Sequence, residues 1–289
     1  MIKKPFNSLN DYFVRYFFTD KGGEKVLLDF INAVMISANM KTFKSVEILN
    51  PFNLKKNYSD KETIVDVKCI TKNGTIVIIE VQLSGNSRFP ERILYYWSTN
   101  YSKLLKKGEG YEDLTPVISI NLLNFNLNKK DSNVHSCYMI YDTKNKRLLT
   151  DHLQIHIIEL KKFNFKNNNL SKDLNYWLGF FTTKNMEEYM SEIVKEKPIM
   201  EEAHKRYNKF NRSRLMMSEY EKKEIYQYDK QIMLKDERRE GIKEGMKKGK
   251  LEGIKERNYS IAKNLKKAGS DIEFISEITG LTIEEINKL

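Results

Sequence analysis

Apolar side chains recur along the first two-thirds of the chain in two rhythms. Thr63–Thr71 and Thr75–Leu83 are rich in β-branched residues and predict the two clearest strands, joined through Lys72-Asn73-Gly74. Upstream, Asn7-Ser8-Leu9-Asn10 offers caps for a helix reaching about Phe18, and Gly22-Gly23 breaks the chain. Leu27, Leu28, Phe30, Ile31 and Val34 follow at helical spacing and predict a second helix to about Ser37. Ser45–Leu49 reads as a strand closed by Asn50-Pro51. Ser87–Lys107 carries Phe89, Ile93, Tyr96, Trp97, Tyr101 and Leu104 on one side, which predicts a long amphipathic helix ended by Gly108. Pro116–Leu123 is a largely apolar run, broken only by Ser119 and Asn121, the mark of a central strand buried on both faces. Strands near Ser136–Tyr141 and Gln154–Leu160 complete a mixed sheet.

Near residue 195 the chain changes character and becomes charged and helical. Glu201 to about Glu256 predicts long charged helices, and Ile261–Leu289 predicts three short ones. Ser270 with Glu273 and Thr282 with Glu285 have capping-box spacing and would start the last two. The expected organisation is an α/β core over residues 1–195, a charged helical arm over 196–257 and a small three-helix unit over 258–289.

The hairpin is where chemistry concentrates. A two-residue Asn73-Gly74 turn would put Asp66 across from Val81, whereas a three-residue turn with Gly74 left-handed would put it across from Glu80. A one-residue slip flips every side chain. Only the second register joins Val65, Val67 and Cys69 to Val81, Ile79 and Val77 on one buried face, so that register is expected. It leaves Asp66 and Glu80 facing each other with Cβ atoms roughly 5 Å apart. Like charges so placed repel, and a divalent cation such as Mg²⁺ would relieve them while leaving sites for water and phosphate. The plainer reading is a solvated sheet face on which Lys68 neutralises the acids.

Charge and composition change this picture little. The balance of 50 Lys and Arg against 39 Asp and Glu gives +11, which suits phosphate neutralisation but also suits a lysine-rich composition with solvated faces. Two cysteines, Cys69 and Cys137, are too few for a disulfide framework, so a reducing compartment is expected. No apolar segment follows Met1–Pro5 as in a signal peptide, and no apolar run approaches the roughly 20 residues of a membrane span. The expectation is a cytoplasmic protein without membrane contact.

The ordered series Val65-Asp66-Val67, Ile79-Glu80-Val81-Gln82, Arg92–Trp97, Leu105–Tyr111 and Leu114–Ile120, with the tail Gly253–Arg257 and Thr279–Ile286, resembles the PD-(D/E)XK nuclease superfamily. The closer likeness is to its recombination-promoting nuclease (Rpn) branch, also described as transposases. That resemblance implies a restriction-endonuclease-like mixed β-sheet core flanked by helices, with a C-terminal all-helical arm. It implies a Mg²⁺-dependent DNA endonuclease of little sequence specificity, with Mn²⁺ able to substitute, acting on double-stranded DNA in recombination or transposition. Asp66 and Glu80 would hold the metal. Gln82 stands where the superfamily more often has Lys, and would position water or phosphate; Lys68, on the same face as Asp66, is the candidate for the missing charge. An additional acid from the first helices would be Glu24 or Asp11, each of which also reads as a helix-start charge. The alternative is a noncatalytic DNA-binding or assembly module that keeps the fold.

Other features have two readings each. Arg88, Arg92 and Tyr96 open the long helix and could contact phosphate or DNA; Arg92 could instead pair with the acidic site, while Phe89 and Trp97 read as core. His152 and His156 are four apart, but in a strand pattern that puts both on its polar face with nothing to complete a zinc site. Gly241, Gly245, Gly249 and Gly253 recur every fourth residue, as in a helix pairing closely with another in a homodimer, or as in a mobile linker. The last helices suggest a helix-turn-helix around Glu277–Leu281, but the acidic Glu284-Glu285 favours a protein-contact or capping unit over groove reading.

Overall fold

A computed structural model describes residues 6–50, 65–85, 88–166 and 168–289. Residues through Lys223 form one compact unit and Glu224–Leu289 a second. Among the described residues no helix is long and apolar enough to cross a membrane.

The first unit is built on a six-stranded sheet with the order β1-β2-β3-β4-β6-β5. Its strands are β1 (Val46–Ile48), β2 (Val67–Thr71), β3 (Ile76–Gln82), β4 (Val117–Leu123), β5 (His135–Tyr141) and β6 (Leu148–Glu159). β4 is buried at every residue and runs parallel to both β3 and β6, as its largely apolar run predicts. The other pairings are antiparallel, so the sheet is mixed. β6 starts earlier than its sequence pattern suggests, because its first residues, Leu148 and Leu149, are exposed and give no buried run.

One face of the sheet is covered by α1 (Asp11–Thr19), α2 (Glu24–Ser37) and α4 (Lys172–Thr182). α1 is started by Asn10, whose side chain accepts from the Tyr12 and Phe13 backbone N–H groups. Val67, Cys69, Val77, Ile79 and Val81 point into this side, where Phe13, Phe17, Phe30, Trp177 and Phe180 make the largest apolar mass. Trp177 is fully buried and donates to Asp29 at 2.8 Å. Asp29 in turn pairs at 2.7 Å with Lys197, whose ammonium also meets Asp173 at 2.7 Å. α4 and α5 (Met186–Ile193) were not anticipated from sequence, although Tyr176, Trp177, Phe180 and Phe181 have the spacing of one helical face. α6 (Ile199–Arg212) sends Arg206 back to the end of α1, where its Nε and Nη2 donate to the Phe17 and Asp20 carbonyls, each at 2.8 Å. These satisfy acceptors that a helix end leaves open.

The opposite face is covered by α3 (Phe89–Ser102). Phe89 and Ile93 are core, and Trp97 donates to the Val117 carbonyl at 2.8 Å. The helix ends before Gly108, with Leu104 N–H already turned back to Tyr101. Ser87, the expected start, lies outside the described residues, as do Thr63 and Pro51.

The two strand histidines do not share a polar face. His152 meets the Tyr101 hydroxyl at 2.8 Å, while His156 is buried with its Nδ1 3.0 Å from His135 Nε2. The reason is a register shift in the β5–β6 pairing between Tyr138 and Tyr141, which breaks strict alternation.

In the second unit the first of the three expected short helices is the tail of α7 (Arg214–Lys267), one continuous helix of 54 residues. Ser270 does not cap α8 (Ile272–Thr279); Asp271 takes the N-cap position without a side-chain bond. Ser270 is instead used to close α7, its N–H reaching the Leu265 carbonyl while Gly269, at φ +79°, reaches Lys266. The second capping box does form, with Thr282 and Glu285 bonding reciprocally at the start of α9 (Ile283–Asn287). Ala262, Ile275, Leu281 and Ile286 make a small apolar centre. The four glycines lie within α7, and no described atom stands within 4 Å of a Cβ placed on any of them.

Burial holds His135 down to about 4 and His156 down to about 3, against the usual 6.5. Both rings stay neutral in the folded chain and would take protons once unfolded, so their contribution is full above pH 6.5 and drains as pH falls towards 4. Thermal unfolding followed from pH 7 to pH 5 is expected to fall more steeply for wild type than for a His135→Gln/His156→Asn variant. Parallel slopes would refute this.

Candidate active site

The turn between β2 and β3 is the three-residue form. Gly74 has φ +81°, its N–H donates to the Thr71 carbonyl at 3.0 Å, and Thr71 N–H donates to Thr75 at 2.9 Å. The register pairs Val67 with Ile79 and Ile70 with Ile76, which sets Asp66 across from Glu80. The expected apolar face holds for Val67, Cys69, Val77, Ile79 and Val81 but not for Val65. Val65 packs with Ile76, Ile78 and Val117 on the α3 side, because the chain bends at Val65–Asp66 and β2 starts only at Val67.

The bend aims the Asp66 carboxylate along the hairpin. Its Oδ2 accepts from the Val81 backbone N–H at 2.8 Å. Glu80 is only 4% exposed. Its Oε2 lies 3.7 Å from Arg92 Nη2, and its Oε1 is buried with no hydrogen-bond partner among the described residues. Burial pushes Asp66 up to about 7, the Asp11 carboxylate adds to this, and the Val81 N–H, Lys223 and Arg15 oppose it. Burial pushes Glu80 up to about 8, helped by the charge on Asp66 and opposed by Arg92 and the Gln82 side chain. The two acids therefore belong to one electrostatic cluster, and the nearby cations among the described residues, Arg92, Lys223 and Arg15, only partly offset the burial.

The remaining expected residues divide. Gln82 is half-buried beside Glu80 at the end of β3. Arg92 adopts the internal pairing, with its guanidinium 5.2 Å from the centre of the Tyr96 ring. Arg88 is exposed and pairs with Glu91 at 3.0 Å. Lys68 is half-buried, its ammonium lowered by burial and by Lys103, and it is not among the cations acting on Asp66 or Glu80. Glu24 is exposed at the first turn of α2, whereas Asp11, at the first turn of α1, acts on Asp66 and pairs with Lys223 at 2.6 Å.

Sequence reasoning missed Arg15, Lys223 and the role of Asn50. Arg15 carried a signal, being a lone cation in the otherwise apolar Tyr12–Phe18. Lys223 carried none, since it is one of many lysines in a charged helix.

Among the described residues no three His, Cys, Asp or Glu side chains gather as a metal cage. The donor set nonetheless fits a divalent cation. Burial raises both carboxyls, Asp66 to about 7 and Glu80 to about 8, and among the described residues the Glu80 Oε1 atom is buried without a hydrogen-bond partner. Hard cations of this kind take one or two carboxylates and leave the rest of the shell to water and phosphate.

The family described as PD-(D/E)XK nuclease family transposase matches residues 8–237, which includes the whole acidic cluster and the first half of α7. Neither a curated protein nor a solved structure matches the chain.

Because both carboxyls are raised on folding, their burden is absent below about pH 4 and grows as pH rises through 7 and 8. Asp66→Asn is therefore expected to raise the metal-free unfolding midpoint at pH 8 by several degrees and to change it little at pH 4. A variant less stable than wild type at pH 8 would show that the carboxylate is not strained there. Millimolar Mg²⁺ is expected to stabilise wild type by about 2–3 kcal/mol if it is present at roughly 100-fold its dissociation constant, and to leave Asp66→Asn unmoved.

Proposed function

The chain belongs to the PD-(D/E)XK nuclease family transposases, and from that premise we propose that it is a divalent-metal-dependent DNA endonuclease. The observation that carries the reading is the Asp66–Glu80 pair, with Glu80 Oε1 buried and unpartnered among the described residues, at the end of the β2–β3 hairpin. Asp66 and Glu80 would hold Mg²⁺, or Mn²⁺ in its place, with Asp11 the better-placed additional acid than Glu24. When bound, the cation supplies Lewis-acid stabilisation of phosphate and makes a water acidic enough to attack.

The chain's own residues orient and balance charge. The Val81 N–H fixes Asp66 Oδ2, so that carboxylate is aimed before any ligand arrives. Gln82 is neutral and takes no proton; its amide can donate to a phosphate oxygen and accept from water, fixing the line of attack. Arg92 holds Glu80 at 3.7 Å and can turn to a phosphate oxygen once the carboxylate is otherwise engaged. Sequence-tolerant affinity for double-stranded DNA would come from the excess of Lys and Arg and would fall steeply with salt. The family description names a transposase, which supports a role in transposition or recombination.

The test is nicking of supercoiled plasmid by wild type, Asp66→Ala and Glu80→Gln, with Mg²⁺ and with EDTA. Both variants are expected to lose activity about 10³-fold, equivalent to roughly 4 kcal/mol of transition-state stabilisation, and EDTA to abolish it. Salt-sensitive binding without nicking in any condition would favour a noncatalytic DNA-binding or assembly module instead. Equal nicking by wild type and Asp66→Ala would place the activity elsewhere.

A further inference from the structure

Where β1 runs out, a side chain takes over from its backbone. Leu49 N–H donates to the Lys68 carbonyl at 2.8 Å, the last backbone bond between β1 and β2. In a continued antiparallel ladder Lys68 N–H would donate back to Leu49. It donates instead to Asn50 Oδ1 at 2.7 Å. The other end of the same amide, Nδ2, donates to the Asp66 carbonyl at 3.3 Å and the Val65 carbonyl at 3.5 Å. One planar group thus holds backbone groups of Val65, Asp66 and Lys68, on either side of the bend.

A matching exchange occurs on the β3 side. Thr71 and Thr75 form a hydrogen-bonded pair, and such pairs recur at every second residue, so Val67 pairs with Ile79 and Val65 would pair next with Val81. Val81 N–H does not go to the Val65 carbonyl. It goes to Asp66 Oδ2 at 2.8 Å. The carbonyl that would have filled this place is turned to Asn50, and the vacated donor captures the carboxylate.

We infer that Asn50 is a positioning residue for Asp66: by gripping the Val65 and Asp66 carbonyls it holds the bend that sets the Asp66 carboxylate beside Glu80. Its catalytic meaning rests on the proposed nuclease reading, while the bend itself does not. The role needs an acceptor and two donor hydrogens in one short side chain. Ala has neither, and Asp keeps the acceptor for Lys68 but loses both donors. A displacement of about 1 Å at a reacting group can cost on the order of 100-fold in rate, so a residue that never touches substrate can still govern turnover.

The test uses the full chain and the variants Asn50→Ala, Asn50→Asp and Asp66→Asn, read by amide hydrogen exchange at single-residue resolution and by the Mg²⁺-dependent rise in unfolding midpoint. In both Asn50 variants the Val81 amide is expected to exchange at least about tenfold faster, while Ile79, bonded backbone to backbone, keeps its protection. The Mg²⁺ concentration giving half the stabilisation is expected to rise about tenfold or more, and nicking to fall about 100-fold. Val81 protection unchanged in Asn50→Asp would overturn the inference, since stitching β1 to β2 through Lys68 alone would then suffice. So would a lower metal-free midpoint in Asn50→Ala with the Val81 amide and the Mg²⁺ response unaltered. If wild type neither responds to Mg²⁺ nor nicks DNA, the nuclease reading fails, and the Val81 exchange rates still decide whether Asn50 holds the bend.

Discussion

Two carboxyls share a place where neither is comfortably charged, and much of the first unit is arranged around that conflict. Glu80 sits on a strand buried at six of its seven positions, and Asp66 meets it from the neighbouring chain. Burial penalises their charged forms, and the nearby cations among the described residues, Arg92 acting on Glu80 and Lys223 and Arg15 on Asp66, only partly offset it. A group of this kind is stable in two ways, protonated or bound to a cation. On the proposed reading, stability is given up locally for a site that a divalent ion would complete, as active-site chemistry commonly requires.

The conflict exists only because the hairpin has the right register, and the register depends on the left-handed Gly74. A residue fewer in the turn would send Glu80 to the other face and bury a charge against Phe13 and Phe17. The apolar pattern of Val67, Cys69, Val77, Ile79 and Val81 enforces the same choice from the packing side. Turn chemistry and core packing thus agree, and this agreement makes the acid pair a dependable product of folding.

Charge is distributed differently from the superfamily pattern that the sequence resembles. Gln82 leaves the third motif position neutral. Lys68 is close in sequence and lies on a suitable strand, but its ammonium is disfavoured by burial and by Lys103. The positive charge that reaches Asp66 comes from α1 through Arg15 and from the first turns of α7 through Lys223, which is anchored on Asp11 at 2.6 Å. A cation can act on an active site from any element that folds over it, so its place in the sequence need not be kept.

The sequence by itself determined the mixed sheet, the central position of Pro116–Leu123, the hairpin and its register, and the opposition of Asp66 and Glu80. Each of these follows from local periodicity or from turn geometry, which act over a few residues and leave a direct mark on the order of side chains. Tertiary structure alone decided the rest. It turned Val65 to the α3 side and fastened that bend with Asn50, absorbed Ser270 into the end of α7, separated His152 from His156, and preferred Asp11 to Glu24 near the acids. These outcomes depend on which backbone donors and acceptors are left unpaired, and on which distant charges approach, once the elements have packed. No window of neighbouring residues contains that information.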